Sequence, residues 1–147
     1  MESQEEPGTD FPIRETVEDA FGNERAFLIT YHPAGLGYMV VAQEEGKEGL
    51  GYEFSALSET SPYHALGKLR EKLYRSLAMR HITRRGSQYI PMHNTLRGRI
   101  TWSPDEGLVL VVDGIVLTLE DLRTILEMHE SWQFRLEIVD PSDDISK

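Results

Sequence analysis

The sequence of 147 residues contains no cysteine. This absence excludes disulfides, thiolate catalysis and cysteine-ligated zinc or iron–sulfur sites. Long apolar runs are also missing, because the stretch 108–117 is interrupted by Asp113-Gly114 and a spanning helix needs roughly 20 residues. The acidic residues at the start of the sequence lack the positive and apolar regions of a secretory signal. We therefore expect a cytoplasmic protein that does not contact a membrane.

Sequence motifs for catalysis are absent as well. There is no Walker loop, no Gly-x-Ser-x-Gly elbow and no His-Glu-x-x-His, and no two of the five histidines have the spacing that pairs ligands on one helix face. We expect no cofactor and no metal. An enzyme would need a His and carboxylate site assembled in space, for which the candidates are His93, His129 and Asp113. This interpretation ranks last of three.

Charge is distributed unevenly along the chain, whose net charge is −10. Residues 1–24, 25–60, 61–99 and 100–147 carry net charges of −7, −3, +8 and −8. We call the following residues of the basic region the basic strip: Lys68, Lys72, Arg75, Arg80, Arg84, Arg85, Arg97 and Arg99. It is interpreted either as a solvated helix face that acidic segments neutralise, or as a recessed site for RNA or another anion.

The first half of the chain predicts a lobe of three strands and a helix. Strands at 26–32, 38–43 and 51–57 are rich in β-branched or aromatic residues and are bounded by Pro or Gly. Ser61 is a good N-cap, and leucines at helical spacing predict a helix over about 62–83. The acidic residues 1–24 are expected to be a largely flexible tail.

The second half predicts a smaller lobe after a linker at 87–95. In 96–103, Leu96, Gly98, Ile100 and Trp102 alternate with more polar residues, which predicts a strand whose Ile100 and Trp102 face the core and whose Arg97 and Arg99 face water. Asp113-Gly114 predicts a tight turn, and Thr118 with Asp121 resembles a capping box that begins a helix over about 119–130. Alternation in 132–138 predicts a final strand with an aromatic inner side.

Parts of this second half resemble a small uncharacterised bacterial domain family. The resemblance lies in Leu96-Arg97-Gly98-Arg99-Ile100 with Trp102, Val112-Asp113-Gly114, and the run from Glu130 to Ile138 with Asp140-x-Ser142. It implies a bacterial or archaeal origin and no particular activity. The order of elements in 26–83 is similar, as topology alone, to antitoxin-like and double-stranded-RNA-binding-like modules, and a shared topology does not imply a shared function.

The sequence therefore predicts an α+β fold of two small lobes, βββα and then β-hairpin(s)-α-β, with antiparallel sheets that are each covered by one helix. The lobes span 25–86 and 96–140, and 141–147 is expected to be flexible. The preferred function is a non-enzymatic protein-interaction module, with a protein partner or a second copy bound through the basic helix face, the Arg97 and Arg99 face or an exposed sheet edge. Nucleic-acid binding is the alternative, which the net charge disfavours.

Overall fold

The structure is a computed structural model that describes residues 10–146. It confirms the α+β class, with antiparallel sheets of four, two and three strands and two helices. No helix in this part of the chain is long and apolar enough to cross a membrane.

The first lobe is a four-stranded sheet with one helix packed on it. Its elements are β1 (Ile13–Glu18), β2 (Glu24–Ala34), β3 (Gly37–Glu44), β4 (Glu53–Ser58) and α1 (Pro62–Leu77). The strands lie in the order β1-β2-β3-β4 with antiparallel pairing throughout. Ser61 caps α1 by accepting a hydrogen bond from the His64 N–H at 3.0 Å. Leucines of α1 meet Phe27 and Val40 of the sheet in a closed core.

Strand β1 corrects the prediction of a flexible tail over 1–24. Ile13 and Val17 pack against the core of the first lobe, and β1 pairs with β2 from Ile13 opposite Ile29 to Glu18 opposite Glu24. Ile13 and Val17 lie on the same side of β1, because alternate residues of a strand face the same side. Their packing on the core accompanies the pairing of this edge strand. Residues 1–9, where the remainder of the predicted tail falls, lie outside the described residues.

The predicted helix over 62–83 is too long, because α1 ends at Leu77. Ile82 belongs instead to β5 (Ile82–Arg85), which forms a hairpin with β6 (Gln88–Pro91). Strand β6 lies within the predicted linker 87–95. The backbone N–H groups of His81 and Ile82 donate to the Asp113 carboxylate rather than to helical carbonyls. The Ile82 side chain is fully buried in the second lobe. Tertiary contacts thus override the helical periodicity.

The second lobe contains a three-stranded sheet followed by a short helix. The elements are β7 (Arg99–Ser103), β8 (Gly107–Val112), β9 (Ile115–Leu117) and α2 (Leu119–Glu127). The predicted tight turn joins β8 to β9, with Asp113 and Gly114 at φ values of 55° and 73°. The predicted capping box is also present, since Thr118 and Asp121 exchange hydrogen bonds of 2.9 and 3.0 Å.

The predicted last strand at 132–138 is absent from the described sheets. Residues 132–140 lie in no helix, strand, turn or bend. Residues 141–146 then return to the first lobe, where the Pro141 carbonyl accepts hydrogen bonds from Ser55 Oγ and Lys72 Nζ, both at 2.8 Å. The side chain of Asp144 also pairs with Arg75. The predicted flexible C-terminus is therefore anchored through these residues.

Candidate functional site

Strand β7 presents its apolar side chains to solvent, which is the opposite of the predicted orientation. Ile100 and Trp102 are 54% and 69% exposed, whereas Arg99 is half-buried and Ser103 is buried. The partner strand explains this inversion. Val109, which lies opposite Thr101, is fully buried, and Arg99 on the same side donates to backbone carbonyls of the first lobe, so the Arg99 and Thr101 side of β7 faces inward.

The outward side of the β7–β8 pair forms an apolar surface. Trp102 lies opposite Leu108 in the antiparallel register, and Leu108 is 47% exposed. We call Ile100, Trp102 and Leu108 the apolar outer face. Helix α2 exposes further apolar side chains, since Ile125 is its buried residue and Leu126 is more than half exposed. The second lobe therefore places large apolar side chains in water on more than one of its elements.

Residues 132–138, which we call the apolar segment, expose four more large side chains. Trp132, Phe134, Leu136 and Ile138 are 61%, 87%, 75% and 72% exposed. In the described part of the chain, residues 133–139 make no backbone–backbone hydrogen bond. Both flanks of the segment are held, because the Trp132 N–H donates to the His129 carbonyl at 2.9 Å and the Pro141 carbonyl is anchored to the first lobe. The exposed side chains thus belong to a segment that is held at both ends.

The sequence predicts most residues of this surface but the wrong environment for them. The period of two in 96–102 and 132–138 correctly separates apolar from polar positions. A period of two does not state which face a second strand will bury, nor whether a partner strand exists. The missed signal lies in β8, where Leu108, Val109 and Leu110 are consecutive apolar residues. Such a run is compatible with burial on either face.

A buried polar cluster lies where the two lobes meet, around Asp113. Its carboxylate accepts the N–H groups of His81 and Ile82 at 2.8 and 2.9 Å, and a contact of 2.9 Å joins it to His81 Nδ1. Although burial alone would raise the pKa of Asp113, these hydrogen bonds hold it below the ordinary value. The Arg80 guanidinium lies 3.8 Å away. Of the three predicted polar-site residues, Asp113 alone lies in this cluster, and His81 was not predicted.

The first lobe contributes a second ion-pair network beside this cluster. Arg25 donates to Asp19 and Glu44, both at 3.1 Å, and its guanidinium carbon lies 5.6 Å from the centre of the Tyr52 ring. Burial raises the pKa of Tyr52, with the Asp113 charge adding to the effect. A Cβ atom at Gly114 would lie 2.8 Å from the Tyr52 ring, so the Asp113-Gly114 turn packs directly on the first lobe.

The space within this junction is too small for a substrate. The cavity lined by residues such as Asp19, Arg25, Tyr52, Arg80 and Asp113 has a volume of about 20 Å³, which is room for about one water molecule. Nε2 of His81 is buried and, within residues 10–146, has no hydrogen-bond partner. The His81 and Asp113 pair is thus enclosed, and its contacts fasten β5 to the β8–β9 turn.

The other two predicted polar-site residues lie apart from this cluster. His93 is exposed in the loop that follows β6. Nδ1 of His129 donates to the Ile125 carbonyl at 2.8 Å at the end of α2, and its ring meets Trp132 edge-on. No group of three potential metal ligands occurs in the described residues. The structure therefore does not bring His93, His129 and Asp113 together.

The basic strip is partly buried and partly paired. Lys72 is 7% exposed, and its Nζ donates to the carbonyls of Ser55 and Pro141, each at 2.8 Å. Burial lowers the pKa of Lys72, and nearby aspartates of the C-terminal segment oppose that shift. Arg75 pairs with Asp144. Two cations of α1 are thus occupied by the returning chain.

The remaining members of the strip lie on several elements. Arg99 donates from Nη2 to the carbonyls of Gly49 and Gly51 at 2.5 and 2.8 Å, which links β7 to the first lobe. Lys68 Nζ donates to the Leu57 carbonyl at 2.7 Å, and the Arg80 guanidinium stacks 3.9 Å from the centre of the Phe21 ring. Arg84 and Arg85 are exposed on β5, whereas Arg97 is half-buried before β7. Because Lys72 and Arg99 are occupied internally, the eight residues do not form one open basic surface.

Two family models match the chain, one for each half. Residues 9–78 match a domain of unknown function (DUF7686), and residues 78–143 match another domain of unknown function (DUF7713). The two matches meet at Ala78, the residue that caps the C-terminus of α1. Searches of curated proteins and of solved structures found no match. Both halves of the chain are thus similar to uncharacterised domain families.

Proposed function

We propose that the chain is a protein-interaction module that binds through the second lobe. The observation that carries this proposal is the apolar segment, whose four large side chains are 61–87% exposed although both flanks of the segment are held. Monomeric proteins rarely expose a continuous apolar patch larger than a few hundred Å², and larger patches are typical of interaction sites. Aromatic residues are also enriched at interfaces.

The period of two in the apolar segment supports binding as a β-strand. Residues 133–139 leave their backbone N–H and C=O groups without backbone partners in the described chain. A strand that is added to another strand or to a sheet edge satisfies these groups, and its alternating side chains provide specificity. The two anchored ends reduce the conformational entropy that binding would cost, because the segment is already tethered.

The basic strip gives weaker support to the alternative of RNA or anion binding. Lys72 and Arg99 are engaged with backbone carbonyls, and Arg75 is paired with an aspartate. A site for a polyanion needs several cations that are open to solvent at once. Arg84 and Arg85, both exposed on β5, are the adjacent pair on which such a site would depend.

Site-specific photo-crosslinking in the producing cells tests the proposal. A photoreactive phenylalanine analogue would replace Phe134, and the matched control would carry it at Leu36, which is fully exposed in the turn between β2 and β3. We expect adducts of defined mass from position 134 that do not form from position 36. Equal and diffuse labelling from both positions would overturn the interaction proposal. Adducts would be identified by mass spectrometry.

A further inference from the structure

The apolar segment has a sequence that is suited to pairing with a second copy of itself. Its polar side carries Arg135 and Glu137, and its apolar side carries Phe134, Leu136 and Ile138. Two identical strands can pair antiparallel about a two-fold axis in several registers. In each register, the axis passes either between the two copies of one residue or midway between two consecutive residues. To keep all the apolar side chains on one face, the axis must pass through a residue position.

Among the registers with an axis at one of residues 134–138, a single one places opposite charges against each other. An axis at Arg135 places the two arginines opposite each other, and an axis at Glu137 does the same with two glutamates, which is unfavourable in both cases. An axis at Leu136 places Arg135 of each copy opposite Glu137 of the other. The same register sets Phe134 opposite Ile138, so the apolar side remains continuous. This register therefore produces two opposite-charge pairs together with a face that is wholly apolar over residues 134–138.

The exposed area matches that of a stable dimer. The apolar segment and the apolar outer face together expose seven large side chains: Ile100, Trp102, Leu108, Trp132, Phe134, Leu136 and Ile138. From their exposed fractions, these side chains offer on the order of 900 Å² per copy. A standard interface buries about 800 Å² per partner. A dimer that covers both surfaces would therefore be of ordinary size, whereas a monomer leaves the whole area in water.

We infer that the chain forms a two-fold homodimer in which the apolar segments of the two copies pair antiparallel about Leu136. This inference rests on the proposed function and names its partner as a second copy. The paired strands satisfy backbone groups that are unpaired in the described chain. Their shared apolar face is then available to be covered by the apolar outer faces of the two second lobes.

Charge reversal provides a test that is specific to this register. Arg135→Glu places a glutamate opposite Glu137 at both symmetric positions, and Glu137→Arg places two arginines opposite each other. We expect each variant alone to dimerise about tenfold more weakly than the wild type, or worse. An equimolar mixture of the two variants restores an opposite-charge arrangement in a heterodimer. Sedimentation velocity and native mass spectrometry of the purified full chain would measure the species.

The controls separate a loss of pairing from a loss of folding. Residues 135 and 137 are exposed, so circular dichroism and thermal unfolding of both variants should match the wild type at concentrations where the wild type is a monomer. Gln133→Glu, on the same polar side but outside the charge pairs, should leave dimerisation nearly unchanged.

Restoration of the dimer only in the mixture supports the inference. Single variants that dimerise as well as the wild type, or a mixture that remains monomeric, would overturn the register. If the wild type is monomeric at every concentration, the inference that its partner is a second copy is wrong. In that case, photo-crosslinking from position 134 to another protein would still support the proposed function, and the absence of such adducts would remove both.

Discussion

The two lobes of the chain differ in how completely they cover their apolar residues. The core between α1 and the four-stranded sheet of the first lobe has ten buried residues, whereas the core of the second lobe around Val112 and Leu117 has four. Most of the exposed large apolar side chains belong to the second lobe or to the segment that follows it. The difference teaches that the first lobe is closed by its own helix, while the second lobe has apolar surface left for a partner.

The polar contacts of the two lobes follow the same division. Charged groups of the first lobe pair with each other and with the returning C-terminus, as in Arg70 with Glu15 and Arg75 with Asp144. The second lobe contributes Asp113 and Arg99 to the junction between the lobes. Its remaining exposed side is apolar on β7, β8 and the apolar segment. The junction thus orients the second lobe and leaves that side uncovered.

The largest expected effect comes from removing the carboxylate of the polar cluster with Asp113→Ala. The substitution leaves the backbone N–H groups of His81 and Ile82 buried without their acceptor. We expect a loss of about 3 kcal/mol in the free energy of unfolding, measured by urea denaturation. Asp105→Ala, in the exposed turn between β7 and β8, is the matched control and should change stability little. A small effect at position 113 would show that this carboxylate does not fasten β5 to the β8–β9 turn.

The same carboxylate predicts the sign of a pH effect. The folded-state pKa of Asp113 is lowered, so its ionised form contributes stability that is present above the unfolded value of about 3.8. This contribution is lost as the pH falls through the folded-state pKa. Urea denaturation of the wild type and of Asp113→Asn across the acidic range would measure it. The difference in stability between them should shrink with acidification, and a constant difference would contradict this assignment.

A smaller effect tests the orientation of the β7–β8 pair. Val109→Ala removes buried methyl groups and should cost about 2 kcal/mol of unfolding free energy. Trp102→Ser, on the opposite face, should cost less than about 1 kcal/mol in a dilute monomer because Trp102 is already 69% exposed. Thermal unfolding of the two variants at low protein concentration would compare them. A larger loss of stability from Trp102→Ser than from Val109→Ala would support the orientation that the sequence predicts.

A local effect is expected where the C-terminal segment meets the first lobe. Lys72→Met removes the donor that binds the Ser55 and Pro141 carbonyls. We expect the opening free energy of residues 141–146 to fall by about 1.5 kcal/mol, measured by amide hydrogen exchange. Lys68→Met, on the same helix, should leave that exchange unchanged. Equal exchange in both variants would mean that Lys72 does not anchor the segment.

The smallest effect is expected from the exposed cations of β5. Replacing Arg84 and Arg85 together with Glu should barely change retention on heparin or the binding of single-stranded RNA, because we assign no anion site to them. Filter binding at low and moderate salt would measure this. Strong, salt-dependent binding by the wild type that the double variant loses would favour the anion interpretation instead.

Local sequence signals predicted much of this fold, and long-range contacts account for the differences. The strands near 26–57, the Ser61 cap, the Asp113-Gly114 turn and the Thr118 capping box all depend on neighbouring residues, and each is present. The residues that follow α1 bind Asp113, which lies 31 residues from Ile82. No local pattern encodes that contact.

For a related reason, the sequence predicted which residues of the candidate site are apolar but not which of them are exposed. The alternation in 96–102 and 132–138 identified the apolar residues, yet the burial of Val109 decided which face of β7 points outward. The apolar segment has the period of a strand, and its partner is not in the described chain. A sequence can show that a strand is competent to pair without showing what it pairs with.

Hydrogen exchange of the amides of residues 133–138, measured on the wild type at several protein concentrations, tests the central claim most directly. We predict rapid exchange in dilute solution and strong protection at concentrations where sedimentation shows a dimer, while the amides of the first lobe change little. Rapid exchange of residues 133–138 at every concentration would contradict the claim that this segment pairs with a second copy.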